Sequence, residues 1–578
     1  MLTFLLALAL TWTIVACILA GVGSLILRGA CGEDAAATDF VERFWAGFSG
    51  STALLILWSL FAPIDGKPGL VLGLAGIIGW LLERRNAAAL LARAKLLDPL
   101  QAAAFLGFAL VVAFGAAGTC AHYDTGMYGA QTMRWASTYP AVPGLANLVQ
   151  QFGFNSSAHL WFAALERGYW HGRSQHLLLP LLAVMLGGWA APAFVRLVLN
   201  RSSDRFSDWL KAISLLSILP FAVNGRLIGM DTDLGPMLLG VSAACIIARC
   251  LRKVPLGLES AGPHLVSASL MLTALISMKL SAVVFAGTTL LILAVFTLGH
   301  PQVLSLRAKT FIVGAIASIL VPWLARGAIL SGYPLYPSRL ISLPVPWASP
   351  RFADDQRLYV RSYSRNPLAP AEATTGWGWI PRWFTNGIKL DKAGFAVPLC
   401  YIAASLAALA LQLGSKRKRS VFRSEFAWPV VATLLPSFAG LVFWFITAPA
   451  GRFAQFEYWT IIVVGASVAL CLSSNSAHLL QRSALVLAAL LALWLNKALC
   501  DRASLLLKFN DPAEILAKPA MKRATLASGL TVFVPIPKDK FDDYVLWDAP
   551  LPSAAIPDPS LRLRVPGNLA AGFVLDNP

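Results

Sequence analysis

The sequence predicts an all-α polytopic membrane protein, a helical bundle of about 14 spans with outer loops and a small C-terminal segment of short strands. Three observations carry this. The 578 residues are 57% hydrophobic and only 13% charged, with a mean hydropathy of +0.66, too apolar for a soluble chain of this length. Apolar runs of about 15 to 22 residues recur, and a helix needs about 20 to cross the hydrocarbon core. The basic residues gather in short loops, "ERRNAAALLARAK" (83–95), "RLVLNRSSDR" (196–205), "RCLRK" (249–253) and "SKRKRSVFR" (415–423), the pattern of cytoplasmic loops.

In chain order the expected spans lie at 2–27, 50–62, 69–82, 101–118, 177–195, 208–223, 235–248, 264–277, 282–298, 310–325, 394–413, 428–447, 457–473 and 484–498. The first lacks a basic n-region and a small-x-small cleavage site, so it reads as a retained span. With the basic loops inside, both termini fall outside, as do the loops 119–176 and 327–392 and the tail 499–578. A bundle over 1–498 and an extracytoplasmic tail follow. The tail alternates short β-prone runs with Pro-rich turns, as in "LTVFVPIP". The net charge of +18 belongs to the basic loops and needs no nucleic acid; the lipid bilayer is the partner it implies.

Chemistry is expected on the outer side. In "TCAHYDTGMYGAQTMRWASTYPAVPGLANL" (119–148), Asp124 follows a span end by about six residues, flanked by His122 and Tyr123. Its carboxylate suits a general base toward an acceptor hydroxyl, or a ligand for a divalent cation; the competing role is a helix N-cap. The segment after it alternates apolar Met127, Met133 and Trp135 with polar Gln131 and Arg134, which predicts a helix lying along the interface. "GFNSSAHLWFAAL" predicts a second short helix capped by Asn155 or Ser156.

"NGRLIGMDTDLG" (224–235) places Arg226, Asp231 and Asp233 at the same depth, either a metal clamp for Mg or Mn or an ordinary cap. Lys279, Arg326 and Arg452 each sit at an outer span end. There they either snorkel or together hold a phosphate whose lipid tail lies between helices. In "SGYPLYPSRLISLPVPWASP" (331–350), Tyr333, Tyr336 and Trp347 suit an aromatic floor for a sugar ring, and Trp377, Trp379 and Trp383 suit either a second floor or interfacial anchors. No H-E-x-x-H, G-x-S-x-G, Walker lysine loop or post-strand G-x-G-x-x-G occurs in the sequence. The eight cysteines form no C-x-x-C pair, and a Cys120–Cys500 bridge has no local support.

The motifs "HYDTGMYGAQTMRWASTYPAVPGLANL", "FGFNSSAHLWF", "SGYPLYPS", "APAGRF" and "WDAPLPSAAIPDPSLRLR" resemble a family of bacterial multi-spanning proteins linked to surface-polysaccharide biosynthesis. More broadly the layout is similar to the GT-C glycosyltransferases, which use polyprenyl-phosphate sugars and carry an acid in a first outer loop. Three spans precede the one leading into this loop, and one acid stands where some members have two. The resemblance implies an inverting glycosyltransferase of the inner membrane. Asp124 and His122 would be catalytic, with Lys279, Arg326, Arg452 and Arg226 on the donor phosphate. Tyr123, Arg134, Trp135, Tyr333, Tyr336 and Trp347 would contact sugar or acceptor, itself a glycan or lipid. A polymerase or ligase using a diphosphate-linked oligosaccharide, and a flippase for a lipid-linked saccharide, are the alternatives.

Overall fold

The computed structural model describes residues 2–84, 98–120, 122–223, 225–253, 261–473, 515–536 and 544–576. The long helices run α1 (Leu2–Cys31), α2 (Phe40–Phe61), α3 (Gly66–Leu82) and α4 (Pro99–Ala116), then the short α5 (Ala130–Thr138) and α6 (Ala158–Leu165). There follow α7 (Leu178–Val198), α8 (Arg205–Ser214), α9 (Leu234–Lys253), α10 (Gly262–Met278), α11 (Val283–Gly299) and α12 (Leu306–Ser331). After them come α13 (Pro350–Arg365), α14 (Ile380–Leu390), α15 (Val397–Leu413), α16 (Ala427–Thr447) and α17 (Gln455–Leu472).

Ten helices among the described residues are long and apolar enough to cross a membrane, and α3 and α10 are shorter apolar helices. The chain is thus a mostly helical, multi-pass membrane protein. The expected span at 484–498, like Cys500 and most of the basic loop 83–95, lies outside the described residues. The expected span at 208–223 is broken into α8, a 3-10 turn (Leu215–Ile218) and a five-residue helix (Leu219–Val223). Pro220 brings no N–H to a helix interior. The Ser214 and Ser217 hydroxyls donate to the Lys211 and Ser214 carbonyls, each at 2.6 Å, bonds that compete with a regular ladder. The apolar run 50–62 extends back to Phe40 because the Asp39 carboxylate caps the Glu42 amide at 2.8 Å.

Helices α7, α9 and α17 are sheathed by the others, while α1, α4, α12 and α15 turn much of their apolar surface outward, as lipid-facing helices do. Arg252 bridges Asp204 (3.2 Å) and Glu425 (2.8 Å), and Arg201 pairs with Asp98 at 2.8 Å. Basic loops that are distant in sequence thereby meet at one end of the bundle.

The C-terminal segment closes the other end. Strands β1 (Met521–Thr525) and β2 (Thr531–Pro535) pair antiparallel, as do β3 (Leu561–Leu563) and β4 (Phe573–Leu575). Their apolar faces bury Val532, Leu561 and Phe573 against Tyr128, Trp135 and Leu145 of the 119–148 stretch. The helix expected along the interface, α5, is thus roofed by the C-terminal segment. Gln131 is fully buried, its amide donating to the Trp547 and Ala549 carbonyls, each at 2.9 Å, and accepting from the Ser553 hydroxyl at 3.0 Å.

Candidate functional site

Helical structure resumes at Tyr123 and passes through one wide turn, Thr125–Gly129, into α5. Asp124 sits inside this helix with φ −63° and ψ −28° and makes no capping bond, so the N-cap reading of Asp124 is set aside. Its Oδ2 accepts from Arg452 Nη1 at 2.6 Å. The Thr125 hydroxyl accepts from the Met230 amide at 2.8 Å. The Gly126 carbonyl accepts from the Leu546 and Trp547 amides, both at 2.8 Å. A Cβ on Gly126 would lie 2.6 Å from the Trp547 ring, so only glycine admits this approach. Three successive residues, Asp-Thr-Gly, thus fasten three remote segments.

From Arg452 the charges continue in alternation. Its Nη1 also lies 3.8 Å from Asp233 Oδ2, and Asp233 Oδ1 pairs with the Lys279 ammonium. Lys279 directly follows the end of α10, where its extended backbone turns the side chain back toward the loop ahead of α9. Gly451 brings the turn carrying Arg452 onto its neighbour, since a Cβ there would sit 2.9 Å from Asp391 Oδ2 and 2.8 Å from the Gly394 carbonyl. Burial alone would raise the Asp233 carboxyl, but Lys279 and Arg452, then Arg226, hold it below the ordinary carboxylate range. Asp391, with weaker opposing charge, is raised by burial. Arg226 makes no side-chain hydrogen bond or ion pair among the described residues.

Of the two readings of Asp231 and Asp233, a metal clamp or a helix cap, the geometry fits the cap. Asp231 Oδ1 accepts from the Asp233 and Leu234 amides at 2.9 and 3.2 Å and so caps α9, while its Oδ2 lies 3.9 Å from His122 Nε2. Both Asp233 oxygens face cations. Among the described residues no three His, Cys, Asp or Glu side chains are grouped to hold a metal ion. Lysine and arginine stand where Mg or Mn would have to be.

Asp124, Arg452, Asp233, Lys279 and Arg226 line a cavity of 1910 Å³. Of those singled out from sequence, Asp124, His122, Tyr123, Arg226, Asp233, Lys279, Arg452 and Tyr336 border it; Asp231, Arg326, Arg134, Trp135, Tyr333 and Trp347 do not. Arg326 is buried against Asn155 Oδ1 at 2.7 Å, and Asn155 Nδ2 reaches the Trp323 carbonyl at 2.7 Å. Asn155, φ +55°, therefore ties the loop to α12 and does not cap α6. Arg134 pairs with Asp548, and Trp135 meets Phe573 edge-on at 5.8 Å; both hold the C-terminal segment. Trp347 donates to the Ala328 carbonyl at 3.0 Å beneath the Arg564 guanidinium, and Tyr333 is packed beside Ala353.

Several lining groups were not anticipated. His159 is buried at the cavity wall, 6.0 Å edge-on from Tyr128. Burial, with Arg326 behind it, pushes its imidazole down to about 4, so it is neutral at pH 7. Burial likewise raises the Tyr128 phenol. Helix α13 contributes Arg357, Tyr359, Arg361 and Tyr363; its start was legible as Ser349-Pro350, with the Ser349 hydroxyl accepting from the Phe352 amide at 3.2 Å. Of the three tryptophans expected as a second floor or as interfacial anchors, Trp383 alone borders the cavity, where it donates to the Pro449 carbonyl at 2.5 Å.

An ion-paired carboxylate with one oxygen free of protein partners among the described residues, beside three cations and neutral imidazole and phenol groups, can accept a proton and hold a phosphate in one chamber. No curated protein and no solved structure matches the chain. Residues 1–458 of the 578 match the family described as "Domain of unknown function (DUF8201)", and the chain belongs to that family.

Proposed function

We propose that the protein is an integral membrane glycosyltransferase that moves a sugar from a polyprenyl-phosphate donor to a cell-envelope glycan or lipid acceptor on the outer face of the bacterial inner membrane. The observation that carries this is the meeting of Asp124, Arg452, Lys279 and Arg226 in one cavity whose wall continues to Phe443 and Ile446 at the end of α16. Ile446 is 52% exposed, which gives a lipid tail an apolar path beside the charged groups.

In the proposed reaction Arg226, Lys279 and Arg452 hold the donor phosphate. Asp124 takes the proton of the acceptor hydroxyl through its unpaired oxygen. The acceptor oxygen bonds to the anomeric carbon with inversion as the bond from that carbon to the phosphate oxygen breaks. The electron pair leaves on the phosphate, where the cations stabilise it. No nucleotide is consumed, because the phosphosugar bond is already activated. Both termini fall outside in this topology. The start of α1 supports that placement: Trp12 Nε1 donates to the Leu177 carbonyl at 3.2 Å and Trp170 Nε1 to the Thr11 hydroxyl at 2.9 Å, beside the outer loop 119–176.

A second reading is favoured by size. Ligand pockets commonly span about 300–1,000 Å³, so 1910 Å³ also accommodates a diphosphate-linked oligosaccharide, as a polymerase or ligase requires. Surface glycans of cells with and without the protein distinguish the two: loss of a single residue marks the transferase, and shortened or unattached chains mark the polymerase or ligase. Asp124→Asn is expected to abolish transfer while the purified protein stays folded and monodisperse. Retained transfer in that variant removes Asp124 from the chemistry.

A further inference from the structure

Helix α13 is held by one stripe of its surface. Ala353 is fully buried beside Tyr333 and Tyr336, Gln356 is buried, and the Tyr336 hydroxyl donates to the Phe352 carbonyl at 3.4 Å. Its residues 354, 356–361 and 363–365 border the cavity. Arg357, Arg361 and Arg365 recur at four-residue spacing and form one row; Tyr359 and Tyr363 form another. The two tyrosine rings stack at 5.8 Å with an interplanar angle of 22°. They are 45% and 44% exposed, so their outer faces are open to a ligand.

The charge along this wall is not balanced from within. Six Lys or Arg side chains border the cavity against four Asp. Asp354 is shared by Arg339 and Arg357. Arg365 is committed to the Ala373 carbonyl at 3.1 Å and to the face of Trp379. Arg361 has no hydrogen-bond or ion partner among the described residues. Forked guanidinium groups match carboxylates in a bidentate way, and a flat pair of phenol rings offers the C–H face of a pyranose a broad apolar surface.

We propose that α13 is a docking site for an anionic saccharide, a glycan bearing uronate carboxylates. Arg361 and Arg357 take the carboxylates, and Tyr359 and Tyr363 carry the sugar rings. Within the glycosyltransferase assignment, on which this part of the inference rests, the bound glycan is the acceptor; the binding itself does not depend on that chemistry.

The test uses the full-length protein in detergent and two defined probes, hexagalacturonate and the neutral maltohexaose, with affinity read by calorimetry at two salt concentrations. Hexagalacturonate is expected to bind at least about tenfold tighter, and the difference should shrink with salt. Arg361→Gln and Arg357→Gln should each weaken hexagalacturonate about tenfold and leave maltohexaose unchanged, whereas Tyr359→Ala with Tyr363→Ala should weaken both. Arg361 is exposed, so its variant should fold normally, which an unchanged melting curve checks. Equal affinity for the two hexamers, or an Arg361→Gln variant that binds hexagalacturonate like the parent, overturns the proposal. So does displacement of α13 ligands by phosphatidylglycerol vesicles but not by hexagalacturonate, which would make the helix a lipid-surface element. Charge-selective binding in a protein whose loss leaves the surface glycans of cells unchanged would sink the transferase assignment alone; loss of transfer in Asp124→Asn without charge selectivity would sink the docking site alone.

Discussion

Removing Arg452 should harm the fold more than removing Asp124, although the two share one bond. At 2.6 Å two unit charges attract by about 6 kcal/mol at an effective dielectric constant of about 20, but the lost hydration of both groups takes back much of that. The side chains are 27% and 15% exposed. The pair therefore lies between a surface pair worth under about 1 kcal/mol and a buried one whose halving costs about 3–5 kcal/mol. Arg452→Met leaves Asp124 with no cation while Asp233 keeps Lys279, at an expected cost of about 2–3 kcal/mol. Asp124→Asn leaves Arg452 an amide oxygen and Asp233 at 3.8 Å, at about 1 kcal/mol. The double variant should be more stable than Arg452→Met alone, because the orphaned carboxylate has gone. Unfolding in detergent, followed by the fluorescence of the 19 tryptophans, measures all three. A double variant no more stable than Arg452→Met, or an Asp124→Asn variant as unstable as it, would refute the reasoning.

Gly126→Val should loosen the C-terminal segment, since its first carbon meets the Trp547 ring at 2.6 Å; protease cleavage near 515–536 should accelerate at least several-fold while the bundle stays folded. Gln131→Leu strips partners from two buried carbonyls and the Ser553 hydroxyl and should cost about 2–4 kcal/mol, detected as early release of the same segment; unchanged proteolysis contradicts both. His159 titrates at about 4 in place of 6.5, so between those values the unfolded chain binds a proton that the folded chain refuses. Stability should fall as pH drops from 6.5 toward 4, by on the order of 3 kcal/mol, and should not change above 6.5 on this account. His159→Phe should flatten that slope, and an unaltered acid profile would show that the imidazole is not held neutral.

Hydropathy made ten spans legible where an apolar run is long enough to declare itself; the runs at 69–82 and 264–277 give shorter apolar helices, and at 208–223 Pro220 and the two serine back-bonds break a run that composition alone joins. The same pattern gives a charge its depth but not its azimuth. Arg326 and Arg452 both end spans on the outer side. One turns inward to Asn155 and the other into the cavity, and nothing in the local residues separates them. Gln131 reads as the polar face of a surface helix because its partners lie 416 and 418 residues further along the chain. Its burial could be known only once the tail was seen to fold over it. Asp231 read from sequence either as half of a metal clamp or as a cap, and the backbone amides at 233 and 234 decide for the cap. His159 carried no acid at helical spacing, and α13 was covered only as part of the outer loop 327–392, with no residue of it singled out.

The sequence of charges Asp124, Arg452, Asp233, Lys279 is neutral in itself, which is how four ionised groups persist together at the end of a bundle. Neutrality also sets a condition on the proposed reaction. In that reaction one Asp124 oxygen is held by Arg452, and it is released only when Arg452 shares its charge with another anion. A donor phosphate held first by Arg226, the cation without a protein partner among the described residues, is such an anion. It would draw on Arg452 without breaking the Asp233–Lys279 pair. Donor binding would then loosen Asp124 before its unpaired oxygen meets the acceptor hydroxyl, and an acceptor arriving at an empty donor site would meet a carboxylate still tied to Arg452. Under the proposed reaction the expected order of binding is donor before acceptor, and a kinetic pattern with acceptor binding first would contradict it.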